Sequence, residues 1–161
     1  RLVEDNDLER RERTDLDWEV YPPGLFEALI DMSSYKLPIF ITENGISTLN
    51  DDRRSRYIVS YIKEMFHAIQ SGVDVRGYLY WSLLDNFEWD KGLKARFGLM
   101  EVDFTTLERT IRPSAYVYGR IARENAINHD LFRFIGHSAR PEKAPKALEQ
   151  SGAQAGEEAT H

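Results

Sequence analysis

The segment IFITENG, residues 39–45, decides the fold class of this chain. Its first four residues form a β-favouring run without polar alternation, which is typical of a parallel strand covered on both faces. Between residues 53 and 71, apolar side chains recur at helical spacing, and Gly72 is a natural helix end. Residues 77–81, GYLYW, then make a second strand. A strand, a helix and a strand in that order predict a right-handed βαβ unit.

Further elements lie on both sides of this unit. Upstream, the Pro22-Pro23 pair sets a helix start, and an apolar stripe at helical spacing continues to about Tyr35. Downstream, residues 97–102 are strand-like, and a helix is expected over residues 113–126. Two parallel strands alone would leave open edges and one bare core face. The alternation therefore predicts a piece of a larger α/β layer structure.

The two ends of the chain are poor in large apolar residues. Residues 1–14 carry many charges of both signs, which is typical of a solvated loop or a linker. Residues 137–161 are rich in Ala, Glu, Gly, Lys and Pro, so they cannot offset the entropy of ordering, and we expect a disordered tail there. The ordered part is expected to cover residues 15–136.

Composition argues against several classes of function. The formal net charge of −6 leaves no basic field for nucleic acid, and no apolar run is long enough to span a bilayer. Cys is absent and the four His residues show no ligand spacing, so we expect neither a metal site nor a cofactor. A cytoplasmic location is expected, with a signal peptide upstream of Arg1 as an open alternative.

Glu43 is the first candidate for chemistry because it ends the first strand, immediately before the Asn44-Gly45 turn. In barrels the carboxyl ends of the strands line the active site, so a carboxylate there faces substrate. The ordinary alternative is a surface or helix-capping glutamate. Glu88 is a second carboxylate, and its spacing alone would allow it the role of a general acid.

Several motifs of the chain, in their order and spacing, resemble those of glycoside hydrolase family 1 over about residues 15–127. They are similar above all to the motifs of its archaeal members. They are DWEVYP at residues 17–22, ITENG at 41–45, D-x-x-R-x-x-Y at 51–57, WSLLDNFEW at 81–89, RFGL at 96–99 with Val102-Asp103 after it, and RPSA at 112–115. The resemblance implies a retaining β-glycosidase, either a β-glucosidase or a β-galactosidase. It also implies an α/β fold in which this chain forms the C-terminal part, the last two βα units, of a TIM (β/α)8 barrel.

The resemblance assigns roles to the residues of these motifs. Glu43 matches the nucleophile, which would form a covalent glycosyl intermediate. Glu88 matches a glutamate that accepts hydrogen bonds from hydroxyls of the bound sugar, rather than the acid. Trp89 would donate its indole N–H, and Trp81 would lie against the sugar ring.

Weaker expectations concern neighbouring positions. Phe97 either lines the sugar pocket or packs in the core, and Asn86 is a further candidate for ligand contact. Asp85 is expected to shape the loop beneath the second carboxylate. The resemblance also implies a non-proline cis peptide between Trp81 and Ser82.

In this family the acid/base comes from an Asn-Glu-Pro segment on an earlier strand, and no such tripeptide occurs in this chain. We therefore expect the isolated chain to be inactive and to need the N-terminal part of the barrel as its partner. The expected substrate is a β-linked glycoside or oligosaccharide with a neutral glycone, because Glu88 would repel a phosphorylated sugar. The alternatives are a non-catalytic sugar-binding module and an inactive gene fragment. The preference among glucose, galactose and fucose stays open, as do the aglycone and the oligomeric state.

Overall fold

The structure is a computed structural model that describes residues 11–136. Within that range, two short 3₁₀ helices accompany three α-helices and four strands. The α-helices and strands are, in chain order, α1 (Pro22–Ser33), β1 (Ile39–Asn44), α2 (Asp51–Gln70), β2 (Val75–Tyr80), β3 (Met100–Val102), β4 (Arg109–Ile111) and α3 (Pro113–Glu124), and the 3₁₀ helices are Trp89–Lys91 and His129–Ile135.

Strands β1 and β2 pair in parallel, with α2 between them in the sequence, so the predicted strand–helix–strand unit is confirmed. Helix α2 begins two residues earlier than its apolar stripe suggested. The reason is a side-chain cap, because Asn50 accepts hydrogen bonds from the backbone N–H groups of Asp52 and Arg53. Helix α3 ends at Glu124 because Asn125 takes the left-handed conformation that stops a helix.

The segment over residues 97–102 differs from its prediction. Only Met100–Val102 is a strand, and it pairs antiparallel with β4, a strand that the sequence reading missed. The turn between them is closed by Asp103, whose carboxylate accepts hydrogen bonds from two backbone N–H groups further along the turn. The segment therefore forms a small hairpin beside the parallel pair and adds no strand to it.

The apolar core lies between the parallel strands and the helices. Ile58 and Val59 of α2 are fully buried and pack with Tyr80 of β2 and Ile121 of α3. A second cluster joins the other end of α2 to α1 and β1. On the opposite face of the strands, Phe40 and Leu79 are 56% and 55% exposed, so that face is open. Within residues 11–136, no helix has the length and apolar character needed to cross a bilayer.

The start of the described chain packs against α2. Arg53 forms ion pairs with Glu12 and Asp15 and also donates to the backbone carbonyl of Arg13. Thr14 is buried. Residues 11–14, part of the expected linker or loop, are thus held in place by the second helix. Residues 1–10 and the expected tail over residues 137–161 lie outside the described part of the chain.

A buried carboxylate joins the loop after β2 to the start of α3. Asp85 has a side chain with 0% exposure and accepts both arms of the Arg112 guanidinium, at 3.0 and 2.9 Å. It also accepts from Arg96 at 3.2 Å and from the backbone N–H of Gly98 at 2.9 Å. Bidentate pairs of this kind fix orientation as well as distance. The loop expected beneath Glu88 is therefore anchored by charge at Asp85.

Acid should weaken this anchor. Burial raises the pKa of Asp85, but hydrogen bonds from Arg112 and from the Gly98 N–H, together with the Arg112 charge, hold it below its ordinary value. Because the pKa in the folded state lies below that in the unfolded state, the stabilisation is complete above about pH 4 and is lost as the pH falls through the folded-state pKa. We expect Asp85→Asn to lower the free energy of unfolding by about 3 kcal/mol at pH 7, since it breaks a buried pair.

Urea unfolding of the wild type and of Asp85→Asn, at pH 7 and at lower pH, measures this free energy. The difference in the free energy of unfolding between the two proteins should shrink below about pH 4. Asp90→Asn is the matched control, because Asp90 is exposed and paired only with its neighbour Lys91 among the described residues. A difference between wild type and Asp85→Asn that stays constant across this pH range would show that the carboxylate charge does not stabilise the fold.

Candidate active site at the carboxyl end of the parallel strands

Glu43 lies exposed near the end of β1, and an irregularity in strand pairing explains its exposure. Ile41 pairs with Tyr78, and Asn44 pairs with Tyr80, so two residues of β1 stand opposite one residue of β2. This is the arrangement of a β-bulge, which re-aims a side chain that strict alternation would send to the covered face. The bulge therefore lets Glu43 face away from the helices that cover Ile41.

Asn44, the next residue, is held from two directions. Its backbone carbonyl accepts from the Trp81 N–H at 3.0 Å, and its side-chain oxygen accepts from the Tyr78 hydroxyl at 2.7 Å. Burial raises the pKa of Tyr78 well above its ordinary value, so this hydroxyl stays protonated and remains a donor. The end of β1, which carries Glu43, is thus fixed to Tyr78 of β2 and to Trp81, the residue that follows β2.

Gly45 brings the turn after Glu43 against the residue that follows β2. A Cβ atom at position 45 would lie 1.6 Å from the carbonyl oxygen of Trp81, so only glycine fits there. This close approach sets Glu43 and the start of the Trp81–Trp89 segment at one edge of the sheet. The juxtaposition expected of the carboxyl ends of parallel strands is therefore present.

The Trp81–Trp89 segment folds back on itself through short hydrogen bonds. The Trp81–Ser82 peptide is cis, as the resemblance implied. Ser82 donates its hydroxyl to the Leu84 carbonyl at 2.7 Å, and Asn86 donates its amide to the Ser82 hydroxyl at 3.2 Å. The Asn86 amide thus supports the loop from within, and a contact between Asn86 and ligand stays a prediction.

Glu88 and Trp89 sit on a tight turn at the end of this segment. The Glu88 N–H donates to the Gly92 carbonyl at 2.8 Å, and the Glu88 carbonyl accepts from Lys91 at 2.8 Å. Trp89 has a positive φ of 42° and is 82% exposed. An indole this exposed is not a core residue, whereas Trp81 is half-buried.

Phe97 is 4% exposed, which favours the packing role among the two that the sequence left open, and a contact between Phe97 and sugar stays a prediction. Its ring meets that of Trp18, with 6.1 Å between the centroids, and its backbone carbonyl accepts from the Ser82 N–H. Trp18 is 52% exposed, so a third indole borders this region. The sequence reading gave Trp18 no role, and its only signal was the DWEVYP motif that contains it.

The arrangement suits chemistry on a polar ligand with apolar faces. An exposed carboxylate stands at a strand tip, and exposed aromatic surface and a further carboxylate follow the neighbouring strand. Aromatic faces pack against the C–H faces of a sugar, while carboxylates accept hydrogen bonds from its hydroxyls. Among residues 11–136, no group of three or more His, Cys, Asp or Glu side chains is placed to hold a metal ion.

Comparison with known proteins agrees with this geometry. The sequence model of glycosyl hydrolase family 1 matches residues 3–127. The chain is similar to the β-galactosidase of Sulfolobus acidocaldarius, with 46% identity over 119 residues, which make up 73% of this chain and 24% of that relative. It is also similar to β-glucosidase A of Acetivibrio thermocellus, with 40% identity over 129 residues, covering 73% of this chain and 29% of that one.

Solved structures show the same relationship. The β-glycosidase from Pyrococcus horikoshii matches with a TM-score of 0.74 and 49% sequence identity, over 76% of this chain and 29% of that one. The chain spans about a quarter of the length of the curated relatives that it matches. The resemblance seen in the motifs is therefore confirmed: this chain belongs to glycosyl hydrolase family 1.

Proposed function

We propose that this chain supplies the nucleophile and the glycone-binding residues of a retaining β-glycosidase. The observation that carries the proposal is the exposed Glu43, turned out of the covered face by the β1 bulge and set beside Trp81 through the Gly45 contact. A structural glutamate would need neither the bulge nor an approach this close between the two strand ends.

The reaction follows from the chemistry of the carboxylate. Glu43 would attack the anomeric carbon, the bond to the leaving oxygen would break, and a carboxylic acid about 5–5.5 Å away would give that oxygen its proton. Water would then cleave the glycosyl–Glu43 ester, with the same acid acting as base. Because no Asn-Glu-Pro occurs in the chain, we assign that acid to barrel strands outside it.

We further propose that β1 and β2 are the last two strands of a (β/α)8 barrel. The open strand face with Phe40 and Leu79 supports this, since such apolar surface needs a covering layer. The share of the relatives' length that the chain covers supports it as well. The partner is then the N-terminal part of the barrel, and the isolated chain is inactive because it lacks the acid. A cytoplasmic location stays a prediction.

The substrate class that we propose is a β-linked glycoside or oligosaccharide with a neutral glycone. Glu88 stands on the turn next to Trp89, and a carboxylate there accepts hydroxyl hydrogen bonds but repels a phosphate dianion. Trp81, Trp89 and Asn86 are the remaining proposed contacts to the sugar. Phe97 supports these contacts from a buried position.

The test of the nucleophile uses a 2-deoxy-2-fluoro β-glucoside with a good leaving group, which traps glycosyl–enzyme intermediates. The chain is joined to the upstream part of the Pyrococcus horikoshii enzyme to complete the barrel. We expect covalent labelling of Glu43, located by peptide mass spectrometry. Glu43→Gln should abolish labelling and lower kcat at least about 10⁴-fold, as loss of a covalent nucleophile does in other hydrolases.

Glu108→Gln is the matched control, because Glu108 lies exposed on the β3–β4 hairpin. The Glu108→Gln variant should be labelled at Glu43 like the parent protein. Labelling of another residue would reject the assignment of Glu43. Sugar binding without labelling would instead support the non-catalytic sugar-binding module, and neither binding nor labelling would support an inactive fragment.

The test of the substrate class compares a β-glucoside with its 6-phosphate in the same chimera. We expect the unphosphorylated sugar to have the higher kcat/KM, and Glu88→Gln to reduce that preference about tenfold by removing a negative charge. Initial-rate kinetics measure both values, with Glu108→Gln again as the control. An unchanged preference in Glu88→Gln would place the selection against phosphate elsewhere.

A further inference from the structure

We propose that Asp85, with Arg112 and Arg96, positions the glycone-binding turn relative to Glu43. This inference rests on the proposed function. It assigns Asp85 a task in sugar recognition beyond closing a loop, although Asp85 itself is buried and touches no sugar.

The turn that carries Glu88 and Trp89 has little support of its own. In the described chain, the backbone hydrogen bonds of Glu88–Gly92 run to residues of the same turn and to Lys94. Trp89 is 82% exposed and so lacks packing that would fix it. The position of the turn must therefore be set by the residues that lead into it.

Asp85, three residues before Glu88, is a charged fixed point on the way into the turn. Its carboxylate is fully buried and accepts from two guanidinium groups and a backbone N–H. Its own backbone N–H donates to the Met100 carbonyl at 3.1 Å. Charge-assisted bonds with bidentate geometry restrain a group more tightly than neutral ones. Asp85 thus gives the turn a rigid base.

The same cluster reaches the loop that follows Glu43. Arg96 contacts Asp85 with its side chain, while its backbone N–H donates to the Ser47 hydroxyl at 3.2 Å and its carbonyl accepts from Thr48 at 3.0 Å. Arg54 adds a further bond to the Arg96 carbonyl at 2.9 Å. One residue therefore joins the glycone side of the site to the nucleophile side.

The chain of contacts has a functional consequence. A sugar bound by the turn is presented to Glu43 at a distance that this ionic cluster sets. Attack at a carbon atom is sensitive to such distances, and a misplacement of about 1 Å can cost roughly 100-fold in rate. Arg112 and Arg96 are thus positioning residues together with Asp85, and none of them is a catalytic residue.

The experiment is a double-mutant cycle in the completed barrel described above. We expect Asp85→Asn to lower kcat for a β-glucoside about tenfold, more than it changes KM, because the displaced turn presents the sugar to Glu43 at the wrong distance. In a Glu88→Gln background, the same substitution should change kcat less than about twofold, because the residue through which it acts has gone. Asp74→Asn is the matched control, because Asp74 is an exposed carboxylate that precedes β2 and pairs with Arg76, outside the turn.

Equal effects of Asp85→Asn in both backgrounds would overturn the proposal, since a purely structural residue acts whether or not Glu88 is present. If Asp85→Asn does not fold, Arg112→Lys replaces it in the double-mutant cycle, because Lys keeps the buried positive charge and removes only the bidentate geometry of the guanidinium. Fluoro-sugar labelling of Glu43 separates the two proposals. Labelled Glu43 with equal effects rejects only the positioning role, whereas an unlabelled parent protein rejects the proposed function and this inference with it.

Discussion

The parallel pairing of β1 with β2 is the constraint on which the site depends. Parallel strands end at the same edge, so the residue after β1 and the residue after β2 become neighbours without any contact between their side chains. Here the neighbours are Gly45 and Trp81, close enough that a Cβ atom at position 45 would collide with the Trp81 carbonyl. The two segments are therefore brought together by backbone geometry, and Glu43 is exposed where the pairing of β1 with β2 becomes irregular.

Buried arginines hold the loops in place, as the apolar core holds the helices. The loops after β1 and β2 bury a few apolar side chains, such as Ile46 and Leu99, but their backbone carbonyls also need hydrogen-bond donors, which apolar side chains cannot offer. Arg54, with 0% exposure, instead donates to Asp51 and to the backbone carbonyls of Thr48 and Arg96. Arg112 does the same for the loop around Asp85. Guanidinium groups suit this task because one side chain can hold several carbonyl and carboxylate oxygens in a fixed geometry.

The parts of the fold that depend on local pattern could be predicted from the sequence. The apolar stripe of α2 predicts the face that it buries, the β-favouring run of β1 predicts a strand although only one of its faces is covered, and several motifs in order identified the family. Three-residue strands such as β4 have no pattern long enough to detect, and Phe97 carries no sign of which face it packs on. The role of Asp85 depends on Arg112, which lies 27 residues away and meets it only in three dimensions. Tertiary pairing of charges leaves no periodic signal in a single sequence.

The division of labour within the barrel follows from which surfaces of this chain are complete. The side of the sheet that faces α2 is filled, and the loops at the carboxyl ends are cross-linked by charge, so the placement of Glu43 and Glu88 is encoded within the chain. The opposite face, with Phe40 and Leu79, is open, and the proton donor that the reaction needs has no candidate in an Asn-Glu-Pro segment here. In the barrel that we propose, position and protonation would therefore be supplied by different parts. Because the ionic cluster lies entirely within this chain, changes in the remaining strands of the proposed barrel would leave Glu88 and Trp89, the proposed sugar contacts, in place.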